Sequence, residues 1–166
     1  MKALLVTAAA IGLLATTPAF AQAGPQSTAN ATADAEIVAP IAVANTAPLS
    51  FGRLAAYHSA STVSVDASGN LTPSNPGMVI AGSTGSAAAF NVTGAVGLAY
   101  TTSIPASVSL TGTGTPMSAS LSKSGGAANL DGSGADSFKV IGTLTVGADQ
   151  TPGAYSGSFT VGVQYN

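Results

Sequence analysis

The stretch "SFKVIGTLTV", Ser137 to Val146, sets Phe138, Val140, Gly142, Leu144 and Val146 at every second position. Side chains of a strand alternate between its two faces. The spacing therefore predicts a strand with one apolar face, and the β-branched Val, Ile and Thr favour it further. The next patterned stretch, "YSGSFTVGVQY", repeats the arrangement with Tyr155, Gly157, Phe159, Val161, Val163 and Tyr165 on one side and small or polar residues opposite. Between the two lies "GADQTPGA", where Pro152 and Gly153 set a turn.

Reading outward, the same period recurs. "STVSVD" turns Val63 and Val65 inward and is followed by the Asp/Ser/Gly/Asn turn "DASGNL". "GMVIAG" is a short apolar run between glycines, and "AAAFNVTG" aligns Ala88, Phe90 and Val92. "LAYTTSIP" aligns Leu98, Tyr100, Thr102 and Ile104 before Pro105. "SVSL" and "MSASLS" follow, the latter with Met117, Ala119 and Leu121 in register. "PLSFGRL", Pro48 to Leu54, reads as a strand with a bulge at Gly52. No mature segment carries a helical repeat, so eight or nine short strands with Gly/Pro turns predict an all-β fold, an antiparallel β-sandwich.

The N-terminus is of another kind. Met1 and Lys2 precede "ALLVTAAAIGLLA" and then "TTPAFAQA", the charged, apolar and small-residue parts of a secretory signal. Cleavage after Ala21 is expected, with the Ala21/Ala23 pair as the alternative two residues on, and no membrane insertion once the signal is removed. Residues 22–34, rich in Ala, Thr, Ser and Asn, have the composition of a flexible arm, and the sandwich is assigned to 35–166. Across the arm and beyond it, "ANATADAEIVAPIAV" places Ala29, Ala31, Ala33, Ala35, Ile37, Ala39, Ile41 and Val43 at successive odd positions. Fifteen residues of strand would span roughly 50 Å, beyond what a small domain uses. Part of this run is either not strand or serves another molecule, and Ala35–Val43 is expected to be the domain's own first strand.

Composition narrows the function. The mature part, about 145 residues, is the size of one domain. It carries Arg53, Lys123 and Lys139 against Asp34, Glu36, Asp66, Asp131, Asp136 and Asp149. With no basic patch, nucleic acid is not an expected partner. The chain has no Cys, so an oxidising compartment would not be exploited. The one histidine, His58, sits in the polar "LAAYHSAS", and the aspartates adjoin turns, so no catalytic set is read and the chain is not expected to be an enzyme. In "NLDGSGADS", Asp131, Ser133 and Asp136 offer oxygens to calcium, but two carboxylates make a weak site. No cofactor is expected. The Asn-x-Thr sites at Asn30, Asn70 and Asn91 arise easily in so Ser/Thr-rich a chain.

Two stretches carry a family likeness. "AEIVAPIAVANTAPLSFGRL" with "STVSVDASG", and "PGAYSGSFTVGVQYN", resemble the opening and the ending of the spore coat protein U-like and chaperone–usher pilin domains, of which this would be a cysteine-free relative. The resemblance implies an immunoglobulin-like sandwich lacking its last strand, its groove filled first by a periplasmic chaperone and then by the arm of the next subunit. It further implies a subunit of a bacterial surface fibre, exported by a Gram-negative cell to the periplasm, cell surface or medium, with like subunits and a chaperone or usher as partners. The donated strand is then either the arm bearing Ala29, Ala31 and Ala33, continuing to Ala35, or the stretch anchored by Ile37, Ile41 and Val43; a plain tether is the third possibility. Tyr155, Phe159, Val161, Val163 and Tyr165 would form the core face of the last strand and the chaperone contact. The alternative function is a monomeric secreted or outer-surface sandwich that binds carbohydrate or protein, for which Phe51, Tyr57 and Tyr100 are the candidate aromatics.

Overall fold

The computed structural model describes Gly24 and residues 26–166; the expected signal, residues 1–21, lies outside them. The chain divides between Glu36 and Ile37. On the N-terminal side, Gly24 and residues 26–36 form no strand and are exposed throughout.

The body from Ile37 to Asn166 is all-β, and its ladders are all antiparallel. Its strands are β1 (Ala42–Ala47), β2 (Ser61–Val65), β3 (Leu71–Pro73), β4 (Ala88–Thr93), β5 (Tyr100–Ser103), β6 (Ser107–Gly112), β7 (Met117–Ser124), β8 (Ala135–Val146), β9 (Tyr155–Ser156) and β10 (Gly162–Tyr165). They run β1-β4-β8-β7-β6-β9 in one curled sheet, with β2 on β8 and β3 on β2, while β10 pairs with β5.

The stretch that decides the fold is also its hub. β8 has 12 residues, about 40 Å at the usual rise, which is long enough to serve two partners along one edge. Ala135–Val140 pairs with β4 and Gly142–Val146 with β2, while β7 runs along the other edge. The apolar face of β8 accordingly feeds both core clusters. Leu144 and Val146 join Phe51, Val63, Val65, Met78, Met117 and Ala119. Phe138 and Val140 join Ala88, Phe90, Val92, Tyr100 and Leu130. The rings of Phe90 and Phe138 stack at 5.4 Å. Where β8 passes from one partner to the other, Gly142 leaves room for the Phe51 ring, which an added Cβ would meet at 3.3 Å.

Two turns are built alike from "DASGN" and "DGSGA". One oxygen of Asp66 accepts from the amides of Ser68 and Asn70 at 2.8 and 2.9 Å, and one oxygen of Asp131 accepts from those of Ser133 and Ala135 at 2.8 and 2.9 Å. Gly69 and Gly134 close the turns with φ of 87° and 73°, the left-handed region a glycine enters without steric cost. The bonds from Asn70 and, next, from Ser68 and Gly69 hold the Asp66 carboxyl below the usual range; those from Ser133 and Ala135 do the same for Asp131. Burial pushes Asp136 up, but bonds from Tyr100, Ala127 and Ser137 and the Lys123 charge outweigh it and hold it low. Carboxyls depressed in the folded state add stability above their unfolded value, near 3.9, and lose it as pH falls through the folded value. The thermal midpoint should therefore be flat from pH 7 to about 5 and fall below about 4. Asp136→Asn should shallow that fall, as followed by circular dichroism melts; an unchanged slope would show that Asp136 is not a linked group.

Three expected strands are corrected. The first strand is Ala42–Ala47 and not Ala35–Val43: Ala35, Ile37 and Ala39 are exposed and outside any ladder. Pro48–Leu54 is not a strand, because Pro48 brings no amide and Gly52 turns the chain at φ 68°; only the bridges Ser50–Ser86 and Leu54–Val79 remain. The C-terminal stretch is not one strand either. It is laddered at Tyr155–Ser156 and Gly162–Tyr165, with 157–161 between them unpaired.

A candidate strand-binding groove

The interruption of the last strand has a counterpart across from it. Residues 100–112 run as β5 and β6, broken at Pro105, and residues 155–165 run antiparallel beside them as β9 and β10. The registers at the two ends differ by two residues, so 157–161 bow between them. Gly157 lies so near the Ser109 carbonyl that an added Cβ would overlap it. Among the described residues β9 and β10 carry no ladder on their other edge, and neither does β1, which pairs with β4 alone.

These two unladdered edges approach each other at one end. The Tyr165 phenol donates to the Ala39 carbonyl at 2.9 Å and accepts from the Ala95 amide at 2.6 Å. Past the end of β1 lies an open cavity of about 990 Å³, walled by the irregular stretch Pro48–Ala56 on one side and Gln150–Phe159 on the other, with Asn45 contributed by β1 itself. Its floor is the core itself: Leu110, Met117, Leu144 and Val146 face into it, with Ala88 and Phe90 beyond. The second wall is held by Gln150, whose amide nitrogen donates to the Thr115 carbonyl at 2.7 Å and to the Tyr155 phenol at 2.8 Å. Tyr155 in turn donates to the Thr151 carbonyl at 2.8 Å.

Burial separates the groove from the rest of the sheet. Along the inward face of β8, Phe138, Val140, Leu144 and Val146 are 0–4 % exposed. Along the last stretch, equally well patterned, Tyr155, Phe159, Val161, Val163 and Tyr165 are all half-buried. Phe159, Val161 and Val163 pack against the second core cluster without entering it, which corrects their reading as core residues. Ile41, Val43 and Leu49 on the facing side are half-buried as well. A strand with a neighbour on only one edge leaves its apolar side chains partly in water, and both groove edges do so.

The remaining sequence candidates fall elsewhere. Ala29, Ala31, Ala33 and Ala35 lie on the exposed N-terminal segment; Ile37 is 98 % exposed and Val38 43 %. Ile41 and Val43 belong to the domain itself, Val43 standing opposite Val92 in the β1–β4 ladder. His58 is on the surface, its Nδ1 2.5 Å from Asp149 Oδ1. Asp136 Oδ2 accepts from the Tyr100 hydroxyl and the Ala127 amide at 2.6 and 2.7 Å, so it and Asp131 are each engaged by donors of their own. Among the described residues no three His, Cys, Asp or Glu are grouped as a metal would need. Phe51 and Tyr100 are buried and Tyr57 is half-buried, its hydroxyl on the Pro76 carbonyl. What the sequence did not reveal was the cavity; of the buried large apolar residues outside strands, Phe51 lines it, while Met78 and Leu130 belong to the core clusters.

Fold and groove together define a class: an all-β domain whose antiparallel sheet curls on itself and leaves an apolar groove between the stretch that follows β1 and the interrupted C-terminal strand. The chain belongs to the family described as Domain of unknown function (DUF4402), whose model matches residues 41–165. No curated protein and no solved structure gives a significant match.

Proposed function

We propose that this chain is a structural subunit of a bacterial surface fibre, an immunoglobulin-like sandwich without its last strand that is completed by a strand from another chain. The observation that carries the reading is the groove floored by core residues, bordered by Pro48–Ala56, which follows β1, and by the interrupted C-terminal stretch, with the outer edges of β1, β9 and β10 unladdered among the described residues. An added strand would gain main-chain hydrogen bonds at an unpaired edge and seat alternate side chains on the groove floor. It would also cover the half-buried Phe159 and Leu49, each large enough to contribute about 1 kcal/mol or more when removed from water. Export through the N-terminal signal, a periplasmic chaperone that occupies the groove before assembly, and like subunits as partners belong to the same reading.

An exchanged strand is released only when the sandwich opens, so the assembly should be kinetically locked. Exported protein run unheated in SDS should give a ladder that collapses to monomer on boiling. Deleting residues 26–38 should remove the ladder and leave a β-rich monomer by circular dichroism. A well-folded, unaltered monomer that never polymerises at high concentration, with its own chaperone present, would overturn the fibre and favour a monomeric binding module.

A further inference from the structure

Resting on the fibre reading, we propose that the groove takes Ala33–Val38 of a second copy of this chain, with Ile37 as its single large anchor and Asp34 and Glu36 turned outward toward Arg53.

The choice of segment follows from what each candidate already does. Ile41 and Val43 pack against the second core cluster of their own domain, and Val43 is laddered to β4. Donating them would unpair β1. Residues 26–33 hold nothing larger than Gln, and alanines remove too little area from water to anchor a strand. Between these limits stands Ile37, a large apolar side chain almost wholly in water, with Val38 beside it also exposed. In an extended chain Ala33, Ala35 and Ile37 share one face and Asp34, Glu36 and Val38 the other. Small residues on the inward face suit a groove whose walls already bring Phe51, Tyr155 and Phe159.

Charge gives an independent argument. Arg53 is the one charged side chain on the groove lining; it is exposed at the wall and makes no salt bridge among the described residues. Asp34 and Glu36 are the only charges in residues 26–38. Both precede the anchor, on the face that would look out of the groove, where a rim guanidinium can meet a carboxylate.

The absence of cysteine from the chain makes the test clean. Exported Ile37→Cys protein is mixed with Leu110→Cys protein during assembly and oxidised, alongside a matching mixture with Ala29→Cys. Disulfide-linked pairs are expected from the first mixture and not the second. Ile37→Asp should abolish the SDS-resistant ladder while Ile37→Val keeps it. Arg53→Glu should slow assembly several-fold at low salt, and Asp34→Lys with Glu36→Lys should restore it. High salt should shrink both differences, since exposed charges are screened. Ladders that form normally with Ile37→Asp, or that cross-link through Ala29→Cys, would overturn this assignment and leave the fibre standing. Failure of the unaltered chain to form ladders would remove both.

Discussion

Val140→Asp should yield no folded domain. Val140 is 0 % exposed, lies opposite Ala88 in one ladder and Lys123 in the other, and belongs to the cluster around Phe138 and Phe90. A carboxylate there has no water to meet it. The Lys123 opposite is exposed, its ammonium over the Phe138 and Tyr100 rings, so pairing would draw that charge out of water as well. The new group must either stay charged at a large desolvation cost or take up a proton at neutral pH. With lost packing added, the expected loss is about 5 kcal/mol, against a total stability of about 5–15 kcal/mol for a domain. Thr145→Asp, exposed in the same strand, should change the thermal midpoint by only a few degrees. Val161→Asp should fall between the two, at about 2 kcal/mol in the isolated subunit, because a half-buried side chain can turn its charge to water. A folded Val140→Asp protein with a melt close to the parent's would show that β8 does not form the core described above.

The second large effect is expected at Gly134. Its φ of 73° is a left-handed conformation that costs an L-residue about 1–2 kcal/mol, and an added Cβ would overlap the Gly94 carbonyl oxygen. Neither loop can yield freely. The Gly94 amide donates to the Gly134 carbonyl at 2.8 Å, and Gly94 itself lies against the Tyr165 ring and Leu130. Gly134→Ala should therefore cost about 3 kcal/mol, or about 10 °C in the thermal midpoint. Gly132→Ala, two residues away with open space around it, should be close to silent. Equal melts for the two variants would mean that the loop rearranges at no cost.

The strands that the alternation predicted correctly are those with neighbours on both edges or in a local hairpin. β2, β4, β7 and β8 appear where Val63, Phe90, Met117 and Phe138 pointed inward, and all four side chains are buried. Of the misread strands, Pro48–Leu54 and the C-terminal stretch border the groove, and residues 35–43 lead into β1. "IVAPIAV" and "YSGSFTVGVQY" carry strand patterns as regular as that of β8, yet the ladders start late in one and break in the other. Periodicity reports which face a residue would bury, not whether a neighbour is present to pair with, and among the described residues the outer edges of β1, β9 and β10 lack that neighbour. Phe51 and Met78 escaped for another reason: they enter the core from irregular segments, where no period exists to be read.

The double pairing of β8 also sets an order of events. β2 ends at Val65 and meets its partner at residues 142–146; β4 ends at Thr93 and meets its own at 135–140. Until the chain has been made or delivered past Val146, neither can complete the sheet, and only β1–β4 and the neighbouring pairs β2–β3 and β6–β7 have both members in place. Pairings across such long separations make for slow folding, with strand edges open to association in the meantime. The same delay would suit the export proposed above: a chain whose central strand follows most of the strands it joins would stay threadable through most of a passage across a translocation pore, and would acquire its tertiary structure only on the far side.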